Sequence, residues 1–123
     1  MPRFVLLEHT GHPDDPTGRH FDLLLEEADS CHTWRLAEIP RVDGPPVAAI
    51  ALPVHRLVWL DRLEGEVTGG RGFARRVDAG TYEKLFGPDD TQLLVVHLQG
   101  QTVRGLMTIA AASATLQSRP NGR

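Results

Sequence analysis

Apolar and polar residues alternate in short runs along the chain, and turn residues separate the runs. A period of two is typical of strands with one buried face. It predicts strands at residues 2–8, 19–27, 31–37, 47–52, 56–60, 72–77, 91–98 and 102–109. The turn at 28–30 and the glycine at position 100 indicate that the strands beside each of them form hairpins.

The segments between these strands have the composition of connections. Residues 10–18, 40–46 and 65–72 are rich in glycine, proline and other turn residues, which favours loops. Residues 80–86 are compatible with one helical turn. Residues 111–123 are mostly small and polar, so we predict one domain over 1–110 and a flexible C-terminal tail after it.

The number and spacing of the strands indicate the fold class. Roughly seven or eight short strands, with turns every eight to twelve residues and no sustained helical period, are typical of an antiparallel barrel or sandwich. We therefore predict an all-β domain with at most one or two short helical turns.

Composition narrows the class of protein further. The 123 residues carry a formal net charge of -3 and a single cysteine, Cys31. Acidic and basic residues are interspersed, which argues against a protein that coats nucleic acid through its overall field. One cysteine excludes an internal disulfide, and no charged-then-apolar leader opens the chain, so we expect a cytoplasmic protein. The apolar runs are far shorter than the ~20 residues that span a bilayer, and we expect no membrane partner.

The tripeptide His20-Phe21-Asp22 places two metal-binding side chains inside an apolar strand. Side chains two residues apart in a strand lie on the same face, about 7 Å apart at the backbone. Imidazole nitrogen and carboxylate oxygen suit Mn²⁺ or Zn²⁺ better than Ca²⁺, which prefers oxygen alone. Two residues do not complete a site, but His9 and His55 stand at the ends of neighbouring apolar segments and are candidate partners.

We expect the other histidines and the two tryptophans to have no part in the metal site. His12 lies in a polar loop, and His32 and His97 lie on strand faces without an acidic residue at ligand spacing, so we assign them no role in the site. Trp34 and Trp59 lie inside apolar strands, where we expect them to belong to the core.

An ordered set of motifs resembles a known family. The motifs are His9, His20-Phe21-Asp22-Leu23, Thr33-Trp34, His55-Arg56-Leu57-Val58-Trp59-Leu60 and Leu63-Glu64-Gly65-Glu66. In this order they resemble the 3′-phosphoesterase module of bacterial DNA ligase D, over most of residues 3–109. The resemblance implies a small antiparallel β-barrel with a site in a groove on one side.

The same resemblance implies an activity and roles for residues. The activity is Mn²⁺-dependent removal of 3′-phosphates and 3′-ribonucleosides from DNA ends, with Zn²⁺ as the alternative metal. His9, His20 and Asp22 correspond to the metal ligands and count among the catalytic residues. His55 corresponds to a residue that contacts the phosphate and acts as a general acid or electrostatic stabiliser.

The chain departs from the family at positions that bind phosphate. Three positions that are basic in the family are occupied here by Leu24, Glu38 and Val47. Positive charge for phosphate binding could come instead from three arginines near the motifs, Arg35, Arg56 and Arg71. Arg71 also lies in a glycine-rich loop, whose backbone N–H groups can bind an anion.

Three functional hypotheses follow. The first is a metal-dependent phosphoesterase that repairs the 3′ end of DNA or of a DNA–RNA junction, with ligase or polymerase components as further partners. The second is a module that binds metal and DNA ends without turnover, because the basic residues of the clamp have been lost. The third is a small metal-binding barrel for an unrelated phosphate or carboxylate ligand.

Overall fold

The computed structural model describes residues 1–14, 18–67, 69–87 and 93–118. The elements within these ranges are β1 (Arg3–Thr10), β2 (Arg19–Glu26), β3 (Cys31–Leu36), β4 (Val47–His55), a 3₁₀ helix (Leu57–Leu60), β5 (Glu64–Glu66), β6 (Phe73–Phe86), β7 (Leu94–Gly100), β8 (Arg104–Ala110) and β9 (Ser113–Gln117). Parts of the predicted segments fall on 15–17, 68, 91–92 and 119–123, which lie outside the described residues.

Eight of the strands close into a barrel. Their order round the ring is β1-β2-β3-β4-β9-β8-β7-β6, and β6 pairs back with β1. Every pairing in the ring is antiparallel, and β5 adds to the first part of β6 outside it. The prediction of an all-β antiparallel barrel is confirmed.

Alternation along the strands separates an inner core from an outer one. The inner cluster fills the barrel with side chains from all eight of its strands, among them Phe4, Leu23, Leu36 and Leu98. The intervening positions of β1 and β2 point outward, where a second cluster forms from Val5, Leu7, Leu24, Cys31, Trp59, Leu60 and Ala74. Both tryptophans are buried, Trp34 in the inner cluster and Trp59 in the outer one, as predicted.

The 3₁₀ helix covers part of the outer cluster and is attached to β6. The Arg76 guanidinium donates a hydrogen bond to the Leu60 carbonyl at 2.6 Å, and the Arg76 backbone N–H donates to the Leu63 carbonyl at 2.7 Å. Since Arg76 pairs with Leu7 of β1, these bonds fix the segment that follows β4 against the outside of the barrel.

Three segments differ from the local predictions. Residues 56–60 were expected to form a strand, but Leu57–Leu60 form the 3₁₀ helix, and β4 runs without a break from Val47 through Pro53 to His55. Residues 80–86 form the second half of β6 instead of a helical turn, because this segment pairs with β7. The expected tail contains β9, Ser113–Gln117, which completes the barrel between β4 and β8.

Candidate metal centre

Three donors converge on the outer face of the hairpin formed by β1 and β2. His9 lies directly opposite His20 across the two strands, and Asp22 lies two residues further along β2. All three side chains are buried, with 6%, 3% and 2% of their surface exposed respectively. One ligand atom from each lies within 4.8 Å of the others. The structure therefore brings together the three residues to which the sequence assigns a metal.

The orientation of His9 is fixed by bonds at both ring nitrogens. Its Nε2 lies 2.6 Å from the carbonyl oxygen of Arg71, and its Nδ1 lies 3.3 Å from Asp22 Oδ2. Because a carbonyl only accepts, Nε2 is the donor in the first bond. A second hydrogen bond of this kind commonly orients a metal-binding histidine, and it leaves Nδ1 facing the carboxylate.

Asp22 lies between the two histidines. Its Oδ1 is buried 3.4 Å from His20 Nε2, and among the residues that the structure describes no donor forms an aligned hydrogen bond to that oxygen. Burial acts to raise the pKa of the Asp22 carboxyl, but the neighbouring imidazoles of His20 and His9 outweigh burial and lower that pKa to about 2. The carboxylate is thus ionised at neutral pH although it is enclosed.

The donor set fits a divalent cation. Two imidazoles and one carboxylate suit Mn²⁺, Fe²⁺ or Zn²⁺ and leave coordination positions open for water or substrate. The buried carboxylate oxygen without an aligned donor is the atom to which a cation would bind most readily. The prediction of a metal group at His9, His20 and Asp22 agrees with this geometry, which does not distinguish among the three metals.

The group opens into a groove on the outside of the barrel. The groove has a volume of about 510 Å³, and His9 and Asp22 form part of its lining. The end of β4, the 3₁₀ helix and the loop after β5 also line it. Four arginines line the groove: Arg35, Arg56, Arg62 and Arg71. The carboxylates of Asp14, Asp22 and Glu66 also line it, so the four guanidinium groups leave only a small excess of positive charge.

His55 lies in the same groove but outside the metal group. Its Nδ1 lies 3.2 Å from the Pro53 carbonyl oxygen, to which it donates. Strand β3 lies between β2 and β4, so it gives the offset between the two residues. His55 of β4 pairs with Cys31 of β3, and Asp22 of β2 pairs with Arg35, four residues further along β3. At ~3.3 Å per residue this offset is about 13 Å along β3. A ligand can therefore lie between the metal group and His55.

The three non-basic replacements occupy different environments. Leu24 is fully buried in the outer cluster, on the strand face that also carries Asp22. Glu38 is exposed, and Val47 packs against the inner core. None of the three lines the groove. The arginines named from the sequence, Arg35, Arg56 and Arg71, all do.

Sequence reasoning missed two residues of the groove. His12 was assigned no role, yet its ring centroid lies 5.4 Å from that of His9 and 6.1 Å from that of His20. Arg62 was not singled out; its guanidinium lies over the Trp59 ring, 5.2 Å from the centroid. The position of His12 three residues after His9 was the available signal, because a strand end and the loop that follows it stay close.

The fold and the site define a class: an antiparallel β-barrel with a candidate metal centre on its outer surface. No protein-family model matches the chain, and a search of the curated proteins gives no significant match. Among the described residues, no helix has the length and apolar character needed to cross a membrane.

Proposed function

We propose that the chain is a divalent-metal-dependent phosphoesterase that acts on 3′ ends of nucleic acid in DNA end repair. It would remove a 3′-phosphate or a 3′-ribonucleotide, as the resemblance to the ligase D module implies. The observation that supports this proposal is the buried group of His9, His20 and Asp22 beside a groove lined by four arginines.

The arginines favour a phosphate as the ligand. Arg35 lies opposite Asp22 on the neighbouring strand and lines the groove. Its Nε is buried, and no acceptor among the residues of the described ranges bonds to it. A guanidinium that retains an unused donor next to a metal group is suited to bidentate contact with a phosphoryl group.

Roles can be assigned to the chain's own residues. His9, His20 and Asp22 would hold the cation, Mn²⁺ in our proposal with Zn²⁺ as the alternative. Such a cation would supply charge neutralisation of the phosphoryl oxygens and a lower pKa for an attacking water. Arg35, Arg56 and Arg71 would bind the phosphate, and the main-chain carbonyl of Arg71 keeps the His9 ring in place. His55 would contact the bound end from the other side of the groove and exchange a proton there.

A second candidate function has its own supporting observation. Leu24 puts an apolar side chain at a position that is basic in the ligase D module, and it is completely buried. A module that binds metal and a nucleic-acid end without turnover would tolerate this change. Such a module would act beside ligase or polymerase components in the cytoplasm, for which the lone cysteine is suited.

A primer-template assay separates these functions. The full chain is incubated with Mn²⁺ and with duplexes whose primer ends in a 3′-phosphate or a 3′-ribonucleotide, beside Asp22→Asn and His20→Ala variants. His97→Ala, on β7 at the opposite side of the barrel from β3, is the matched control. Trimming by the wild type and by the control, but by neither site variant, supports the phosphoesterase.

Two other outcomes are informative. Binding of these duplexes without trimming supports the non-catalytic module. Trimming that survives Asp22→Asn at the wild-type rate would contradict the assignment of the metal group.

A further inference from the structure

His12 lies at the groove beside the metal group. It lines the same groove as His9 and Asp22, and its ring approaches those of His9 and His20 to 5.4 and 6.1 Å between centroids. Three imidazoles thus lie close together, and those of His9 and His12 line the groove. Two belong to the buried group, and His12 is only partly buried.

A backbone hydrogen bond sets the tautomer of His12. The N–H of Asp14 donates to His12 Nδ1 at 3.0 Å. A ring nitrogen that accepts carries no proton, so the proton of the neutral ring is on Nε2. The bond also fixes the ring plane, because it ties the side chain to the backbone two residues further along.

We propose that His12 is a substrate-contacting residue, which donates a hydrogen bond from Nε2 to an oxygen of a phosphate held at the group of His9, His20 and Asp22. This inference rests on the proposed function for the class of ligand. His12 would be an uncharged hydrogen-bond donor that acts beside the positively charged arginines. It lies at the end of the groove where the reacting phosphate would lie.

The geometry favours substrate contact over a fourth metal ligand. His12 is not within the set whose ligand atoms approach to 4.8 Å, and metal–nitrogen bonds are only ~2.1 Å long. Its Nδ1 is already engaged by Asp14, and its Nε2 carries the proton. A phosphate oxygen bound between the cation and the ring would occupy the intervening space and accept from Nε2.

Inorganic phosphate is the probe that tests this role without requiring turnover. Mn²⁺ affinity is measured first by calorimetry on the full chain, and phosphate binding to the Mn²⁺-loaded protein is then measured by ³¹P relaxation. The variants are His12→Ala, His12→Gln and the remote control His97→Ala. A Gln amide can place its N–H close to the position of imidazole Nε2, and Ala has no donor.

The expected result is selective. His12→Ala weakens phosphate binding about tenfold or more, which is typical for loss of a hydrogen bond to a charged group, and leaves Mn²⁺ affinity within about twofold. His12→Gln recovers most of the phosphate affinity, and His97→Ala changes neither quantity. If the protein trims nucleic-acid ends, His12→Ala changes both KM and kcat. The thermal midpoint separates this effect from a purely structural defect, which would lower the midpoint as well.

Defined outcomes would overturn the proposal. Unchanged phosphate affinity in His12→Ala excludes the contact, and so does a wild type that binds no phosphate when loaded with metal. A tenfold loss of Mn²⁺ affinity in the same variant makes His12 a fourth ligand instead. Phosphate binding that depends on His12 in a protein that trims no 3′ end would refute the proposed function and leave this inference standing.

Discussion

His9 Nε2 donates to the main-chain carbonyl of Arg71 across a distance of 2.6 Å, although the two residues are 62 positions apart in the chain. The bond connects the candidate metal group to the glycine-rich loop before β6. The loop is held there by close contact, because Gly72 has a φ of +95° and lies against the backbone of Thr10 and Gly11. The backbone of this loop therefore takes part in the site.

Gly72→Ala tests that connection. A Cβ at position 72 would collide with the Thr10 carbonyl oxygen, so the loop must move and withdraw the Arg71 carbonyl from His9. We expect Mn²⁺ affinity to fall about tenfold to a hundredfold, as for other groups that orient metal ligands. Calorimetric titration with Mn²⁺ measures this change. The thermal midpoint should fall as well, because a left-handed non-glycine residue adds strain.

Gly70→Ala is the matched control for that substitution. Gly70 also has a positive φ, +68°, but no atom of the described residues lies within 4 Å of a Cβ placed there. It should cost about 1–2 kcal/mol of stability from backbone strain and leave metal affinity unchanged. Equal losses of Mn²⁺ affinity in both variants would show that the Arg71 carbonyl has no special part in orienting His9.

Metal affinity should depend on pH through His9. The hydrogen bond that the Asp22 carboxylate accepts from His9 raises the His9 pKa above its usual 6.5, and this outweighs the lowering by burial. A cation competes with the proton for the ring, so apparent Mn²⁺ affinity should rise with pH and level off only above the raised pKa. Calorimetry from about pH 6 to about pH 8.5, in buffers of different ionisation enthalpy, should show proton release. Affinity that is constant over this range would contradict the assignment.

Asp78 should be a main determinant of stability. Its buried carboxylate accepts hydrogen bonds from the backbone N–H groups of Ala79, Gln101, Thr102 and Val103 at 2.7–3.2 Å. It thereby fixes the connection between β7 and β8 to β6. Asp78→Asn turns one acceptor into a donor that faces other donors, and we expect a loss of about 2–4 kcal/mol in urea unfolding at neutral pH.

Asp61→Asn is the control for Asp78→Asn, because it makes the same chemical change at an exposed aspartate. Asp61 is largely exposed and forms a surface ion pair with Arg3 at 2.9 Å. Its replacement should change the free energy of unfolding by less than about 1 kcal/mol. A loss from Asp78→Asn no larger than this would mean that the loop between β7 and β8 holds its conformation without the carboxylate.

The contribution of Asp78 should disappear in acid. Burial raises the Asp78 pKa, but its backbone hydrogen bonds outweigh burial and place it below the usual 3.8. A depressed folded-state pKa gives stability that is present above the unfolded value and is lost as pH falls through the folded one. The stability difference between wild type and Asp78→Asn should therefore narrow below about pH 4. A difference that stays constant down to about pH 2 would contradict this linkage.

The turn between β8 and β9 offers a stabilising change. Ala110 pairs with Ser113, and the two residues between them, Ala111 and Ala112, have φ of 51° and 65°. This is the backbone of a type I′ turn, which favours Asn-Gly. Ala111→Asn with Ala112→Gly should raise stability by about 1–2 kcal/mol, measured as an increase in thermal midpoint. Ala51→Gly, in extended β4, should instead lower it by about 0.5–1 kcal/mol; stabilisation by both would point to a cause other than turn strain.

The local part of the site was predictable, since it depends on one strand and a period of two. His20 and Asp22 share a face because they are two residues apart, and Phe21, Leu23 and Leu25 occupy the other face. His9 could be added because β1 and β2 are neighbours in the chain. The contribution of the Arg71 carbonyl could not be foreseen, because it depends on the pairing of β1 with β6, which are far apart in sequence.

The errors in predicted secondary structure also arise where strand pairing, and not the local pattern, decides the conformation. Residues 80–86 lack strict alternation, and they are extended because β7 pairs with them, as in the contact of Tyr82 with Leu98. The segment 113–117 contains only two large or buried apolar positions, Ala114 and Leu116, among polar residues. Its signal as a strand was therefore weak, although the barrel cannot close without it.

His20 and Asp22 are separated in sequence by Phe21, which is packed in the barrel interior. The groove and the inner core are thus encoded by alternate residues of the same strand. Deleting or inserting a single residue within β2 would exchange the two sets, placing phenylalanine and leucine in the groove and charged groups among the core side chains. Substitutions can alter the chemistry of the groove while the barrel persists, whereas a change of one residue in the length of this strand would need a β-bulge to restore the alternation.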